Sequence, residues 1–177
     1  MNNERDLMPE TLLKNNATVE SIYKNYKFIK KTKGKNYATS VLKKVLRHLF
    51  DTQELDLIHN LLLANRQNKI MDENLREMLH LAIILSKNIK YNIEHAPYSP
   101  TEQISKAHES VILHSKDPKA SIKYLMTCGS EKISEHLSLI MPHNLDEALE
   151  ALESEYSLVK KDDVHKNIYN IIKNGIL

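Results

Sequence analysis

The chain has 177 residues, 41% of them apolar and 27% charged, with a net charge of +2, which suits one hydrophobic core. Its single cysteine, Cys128, excludes an internal disulfide and hence a disulfide-stapled scaffold. The longest apolar runs, Leu61–Ala64 and Leu81–Leu85, fall far short of the roughly 18 residues of a membrane-crossing helix.

Three glycines and five prolines leave few turn formers for a sheet with tight hairpins, so helices joined by short polar links are expected. Residues Met1–Asp6 carry neither the basic start nor the apolar stretch of a signal peptide. The expected location is therefore cytoplasmic, with export by a route that needs no cleaved signal left open.

In chain order, a short helix is expected over Pro9–Asn15. The next takes Thr18 as N-cap and runs to Lys31, with Val19, Ile22, Tyr23, Tyr26 and Ile29 on one stripe. A break over Thr32–Asn36 contains Gly34. The third helix covers Tyr37–Phe50 and buries Val41, Leu42, Val45, Leu46, Leu49 and Phe50. Asp51 and Glu54 read as a capping pair for a helix carrying Leu55, Ile58, Leu61 and Leu62.

After a polar link over Asn65–Met71, Asp72 caps the longest expected helix, to Tyr91. Leu75, Met78, Leu79, Ala82 and Ile83 form its main face. Leu81, Ile84 and Leu85 spread apolar surface around it, as in a helix central to a bundle. The link Asn92–Ser99 is the weak seam in what reads as a single domain over residues 1–177.

Ser99-Pro100-Thr101-Glu102 gives a helix start with Ser99 as N-cap and Pro100 in first position. Asp117-Pro118 starts another helix, ended by Gly129. Ser130 starts the next, ended at Pro142. Asn144–Glu147 begins another, and Asp162 or Asp163 caps the last, closed by Gly175. The fold class is all-α, a compact bundle of roughly nine or ten short helices with antiparallel neighbours and no sheet. Hairpin starts near Tyr37, Asp72, Asp117 and Asn144 are unevenly spaced and share no consensus, which rejects a solenoid repeat.

Between Ser21 and Phe50 there is no acidic residue, while Lys24, Lys27, Lys30, Lys31, Lys33, Lys35, Lys43, Lys44 and Arg47 supply +9 in a chain that totals +2. On a helical wheel Lys24, Lys27, Lys31 and Phe28 gather opposite the apolar stripe of their helix. Lys43, Lys44 and Arg47 do the same on the next. Lys33 and Lys35 flank Gly34 ahead of a helix N-terminus, a combination suited to an anion. Phe28 among lysines suits stacking on a base or dipping into a lipid interface.

The leading reading is a non-enzymatic module that holds an anionic partner on this basic hairpin, over about 24–47. That partner is a nucleic acid, a phosphoinositide or anionic membrane surface, or an acidic protein. The competing structural reading is a solvated face balanced by Glu147, Glu150, Glu153, Glu155, Asp162 and Asp163.

Catalytic and metal patterns are mostly missing. His108-Glu109 begins like H-E-x-x-H, but position 112 is Ile. Asp56…His59, Glu77…His80 and Asp162…His165 share helical faces, and only Glu77…His80 has the Glu-x-x-His spacing of di-iron bundles, on what reads as the polar side of its helix. No nucleotide-binding loop can be built from Gly34, Gly129 and Gly175. No catalytic residue, metal or cofactor is therefore expected.

The first rival is a protein-binding adaptor or regulator, such as a bacterial secreted effector or effector regulator. The glutamate-rich block resembles the translocation signals of some type IV secretion effectors, although it stands farther from the chain end. The second rival is a cryptic helical metal protein or enzyme built on Glu77 and His80. The last helix carries Val164, Ile168, Ile171 and Ile172 on a stripe that serves either core packing or a homodimer or partner contact.

Overall fold

The computed structural model describes residues 17–128, 130 and 132–140. Among them the chain forms eight α-helices and one 3-10 turn, with no strand, so the fold is all-α. The helices expected over Pro9–Asn15 and beyond Pro142 lie outside the described residues. The contacts divide the chain into two compact units, meeting between Ser86 and Lys87.

The first unit contains α1 (Val19–Lys33), α2 (Lys35–Asp51), α3 (Leu55–Asn68) and α4 (Glu73–Ser86). Thr18 caps α1 as expected: its hydroxyl accepts from the Ser21 amide at 3.2 Å, and the Ser21 hydroxyl accepts from the Thr18 amide at 2.9 Å. The break after α1 is narrower than expected, because only Gly34 leaves helical geometry, at φ +88° and ψ 166°. That region is open almost solely to glycine. α1 therefore runs on to Lys33 and α2 starts at Lys35.

The expected capping pair Asp51–Glu54 does not form. Asp51 ends α2, Thr52 closes it by donating its hydroxyl to the His48 carbonyl at 2.8 Å, and Gln53 reverses the chain at φ +58°. Glu54 leads into α3 without a side-chain cap. α3 also extends into the expected link, ending at Asn68 with Lys69 in the left-handed conformation. The buried Asn65 holds the turn by accepting the Met71 amide at 3.0 Å. Asp72 caps α4 as expected, accepting from the Leu75 amide at 2.9 Å.

α2 packs against α1, α3 and α4, and α1 also meets α3. Ile22, Ile29, Leu42, Val45, Leu46, Leu49, Ile58, Leu61, Leu79 and Ile83 form the core between them. Phe50, expected inside, is half-buried. Leu81 and Leu85 are 40% and 62% exposed, so α4 is not enclosed on all sides as its composition suggested.

The second unit contains α5 (Ile89–His95), a 3-10 turn (Ala96–Tyr98), α6 (Glu102–Ser115), α7 (Pro118–Thr127) and α8 (Ile133–Ile140). The single long helix expected to Tyr91 is broken at Lys87 (φ +55°), after which Asn88 caps α5 by accepting the Tyr91 amide at 3.1 Å. The stretch 92–99 lies within this unit as the end of α5 and the 3-10 turn. Thr101, not Ser99, caps α6, because its side chain reaches the Ile104 amide at 3.3 Å. Asp117 caps α7 with Pro118 in the first turn, as expected. Ala96, Ile112, Ala120, Tyr124 and Cys128 pack together, with Ile89 and Ile93 against them.

Candidate functional site

Two polar features stand out, one in each unit. In the first unit, α1 and α2 form the basic hairpin. The buried stripe of α1 is Ile22, Tyr23, Tyr26 and Ile29, and that of α2 is Ala38, Val41, Leu42, Val45, Leu46 and Leu49. The alternation of these stripes with Lys at helical spacing turns the cations outward. Lys24, Lys27, Lys30, Lys31, Lys33, Lys35, Lys43, Lys44 and Arg47 are all exposed, and so is Phe28.

The nine cations are not equivalent. The Lys24 ammonium lies 2.7 Å from the Glu20 carboxylate one turn earlier, which holds the Glu20 pKa below and the Lys24 pKa above their ordinary values. Both side chains are well exposed, so solvent screening leaves this pair little stabilising effect. The Lys33 ammonium stands 5.7 Å from the centroid of the Tyr37 ring. Lys30, Lys31 and Lys33 occupy the last turn of α1, where the helix dipole favours positive charge.

Lys35 has no such support. It opens α2, where the dipole is positive and the glycine N-cap offers no side chain to the first amides. Among the described residues Lys27, Lys30, Lys31, Lys35, Lys43, Lys44 and Arg47 make no ion pair. The acidic block Glu147–Asp163 lies outside the described residues.

The second unit buries a polar cluster that local sequence patterns did not reveal. Glu109 on α6 is 4% exposed, and its Oε1 accepts from the Ser130 hydroxyl and from His136 Nε2, the latter at 3.3 Å. Burial lowers the His136 pKa more than the Glu109 carboxylate raises it. The geometry also fits an ion pair, and burial favours the neutral imidazole donating to the carboxylate. The second ring nitrogen, Nδ1, is buried and makes no hydrogen bond among the described residues. The His136 ring stacks on Tyr124, centroids 5.2 Å apart.

Burial, with Glu109 nearby, raises the Tyr124 pKa, while a hydrogen bond with Ser105 opposes that shift. Burial likewise raises that of Cys128, which keeps the thiol protonated and poorly nucleophilic. A serine nucleophile needs its hydroxyl on the imidazole. Here hydroxyl and imidazole both give their hydrogen to one carboxylate oxygen, so the cluster joins α6 to Ser130 and to α8.

His108, next to Glu109 in sequence, points elsewhere. Its Nδ1 lies 2.7 Å from Asn92 Oδ1, and burial pushes its pKa down to about 4. His80, read from the sequence as lying on the polar side of α4, is instead 2% exposed, because the turn of α4 that carries Leu79 and Ile83 into the core carries it too. Among the described residues no three His, Cys, Asp or Glu side chains are grouped as a metal-ligand set, and no helix is long and apolar enough to cross a membrane.

An open groove of about 540 Å³ in the second unit is lined by Lys87, Ile89, Ser110, Val111, His114 and Ser115. Its histidine is engaged locally, with Nδ1 2.6 Å from the Ser110 carbonyl. The chain matches no family model, no curated protein and no solved structure.

Proposed function

We propose that the protein is a non-enzymatic helical module that holds a polyanion on the α1–α2 hairpin through Lys27, Lys30, Lys31, Lys33, Lys35, Lys43, Lys44 and Arg47, with Phe28 among them and Lys24 at the margin. One observation carries the reading: exposed cations on two successive helices, seven of them without an ion pair among the described residues. Like charges gathered in this way repel one another, and an incoming polyanion relieves that repulsion while releasing its own counterions.

Lys35 at the positive end of α2 sharpens the argument, because the helix dipole disfavours a cation there and no acidic residue stands in that first turn to offset it. The test compares the native chain with Lys43→Glu/Lys44→Glu/Arg47→Glu for retention on heparin and for binding of fluorescein-labelled oligonucleotides. The native chain binds with an affinity that falls steeply with salt, and the charge-reversed chain does not bind. Salt-independent retention, or equal retention of the two chains, overturns the reading.

A second reading, a protein-binding adaptor, is favoured by the exposed pair Leu81 and Leu85, one turn apart on α4. Co-purification of a protein partner that survives high salt and is lost in Leu81→Glu/Leu85→Glu supports it over the first.

A further inference from the structure

We infer that the polyanion is a single-stranded nucleic acid, with phosphates on the lysines of α1 and α2 and an unpaired base stacked on Phe28. This rests on the polyanion reading and adds the identity of the partner.

The other aromatic residues of α1, Tyr23 and Tyr26, are 7% and 6% exposed, whereas Phe28 is 42% exposed. It sits on the outward side of the helix with Lys27 directly before it and Lys31 one turn on. A phenyl ring bordered by lysines is covered best by something flat, apolar on its face and anionic at its rim. A nucleotide has both properties, since every base presents a π-face and every link a phosphate. Tyr37, at the start of α2, offers a second ring, 47% exposed, with the Lys33 ammonium already near it. Rings interleaved with ammonium groups make the sequence-tolerant stacking platform of single-strand binders.

The alternatives fit less well. An interfacial membrane helix needs a free apolar face. Those of α1 and α2 are consumed by the core, where Ile22, Ile29 and Leu46 are 2%, 1% and 0% exposed. Reading a duplex needs Arg, Asn or Gln along an outward helix face, and here the outward cations are lysines with one arginine. Lysine is a point charge suited to phosphate rather than to bidentate base edges. In a duplex the base faces are stacked on one another and closed to Phe28.

The experiment exploits the absence of tryptophan from the chain, which makes Phe28→Trp a reporter of position 28 alone. Oligouridylate is expected to quench its emission. A duplex of equal length binds more weakly and quenches less. Phe28→Ala, checked for native helicity by circular dichroism, loses at least about fivefold in affinity for oligouridylate. Brightening and a blue shift on phosphatidylserine vesicles, without quenching by oligouridylate, overturn the inference in favour of lipid. Equal affinity for single strand and duplex, indifferent to Phe28→Ala but abolished by Lys43→Glu/Lys44→Glu/Arg47→Glu, overturns it and leaves the polyanion reading standing. Absence of binding to any of these anions overturns both.

Discussion

His108 Nδ1 and Asn92 Oδ1 lie 2.7 Å apart, joining α6 to α5 between two side chains with no exposed surface. The amide oxygen can only accept, so the ring is fixed as the Nδ1–H tautomer. Burial holds its pKa at about 4, against an ordinary value of 6.5. The shift is downward, so between those two values the unfolded chain carries a proton that the folded chain does not. The native state therefore keeps the full contribution of this histidine above pH 6.5 and loses it as pH falls toward 4, by an amount on the order of 3 kcal/mol. His136, whose pKa is also lowered by burial, acts in the same direction. Urea unfolding followed by circular dichroism from about pH 7 down to about pH 4 checks this. A midpoint that stays constant across the window, or a slope unchanged in His108→Gln, contradicts it.

Glu109 gives a second prediction. Its carboxylate is the acceptor for both Ser130 and His136. Glu109→Ala removes it and leaves the buried His136 and the half-buried Ser130 without that acceptor, which costs roughly 2–5 kcal/mol. Glu109→Gln keeps one carbonyl oxygen in place and costs less. Chemical denaturation of the two variants ranks them. A Glu109→Ala chain as stable as the native one would show that the placement of Ser130 and α8 does not depend on this acceptor.

That cluster was invisible in the sequence for a simple reason. Glu109 is 21 residues from Ser130 and 27 from His136, and no helical or strand period connects such distances. The caps Thr18, Asp72 and Asp117 were legible because each is one side chain reaching an amide two or three residues away. The breaks at Gln53, Lys69, Lys87 and Lys116 were harder, because their left-handed backbone falls on residues that are not glycine. Missing the turn at Lys87 is what merged α4 and α5 into one expected helix. Side-chain polarity puts His80 on the outer side of α4, whereas its position beside Leu79 takes it into the core.

Gly34 offers a test of backbone chemistry alone. A Cβ built there would meet no atom within 4 Å, so space is not the obstacle. The obstacle is φ +88° with ψ 166°, which a residue with a side chain avoids at a cost of about 1–3 kcal/mol. Gly34→Ala is expected to lower stability by that amount and to move the α1–α2 turn, with a loss of polyanion affinity. Stability equal to that of the native chain in urea denaturation would mean that the turn relaxes to another conformation without strain.

Glu20 distinguishes the charge-based reading from a merely solvated basic face. Its carboxylate lies 2.7 Å from the Lys24 ammonium, so that cation is already paired. Glu20→Gln releases that ammonium and removes a negative charge beside it. Affinity for a polyanion is expected to rise, by up to about fivefold if one further contact forms. Lys44→Ala, at an exposed position without an ion pair among the described residues, should lower affinity by a similar factor and reduce the slope of log affinity against log salt by about one. Lys24→Ala should change less than Lys44→Ala, because Glu20 already offsets its charge. Fluorescence anisotropy with a labelled oligonucleotide at about 50 and about 200 mM salt reads all three. If Glu20→Gln weakens binding, or if Lys24→Ala and Lys44→Ala are indistinguishable, the local ion pair does not govern the surface, and the outward lysines act only as solvated charge.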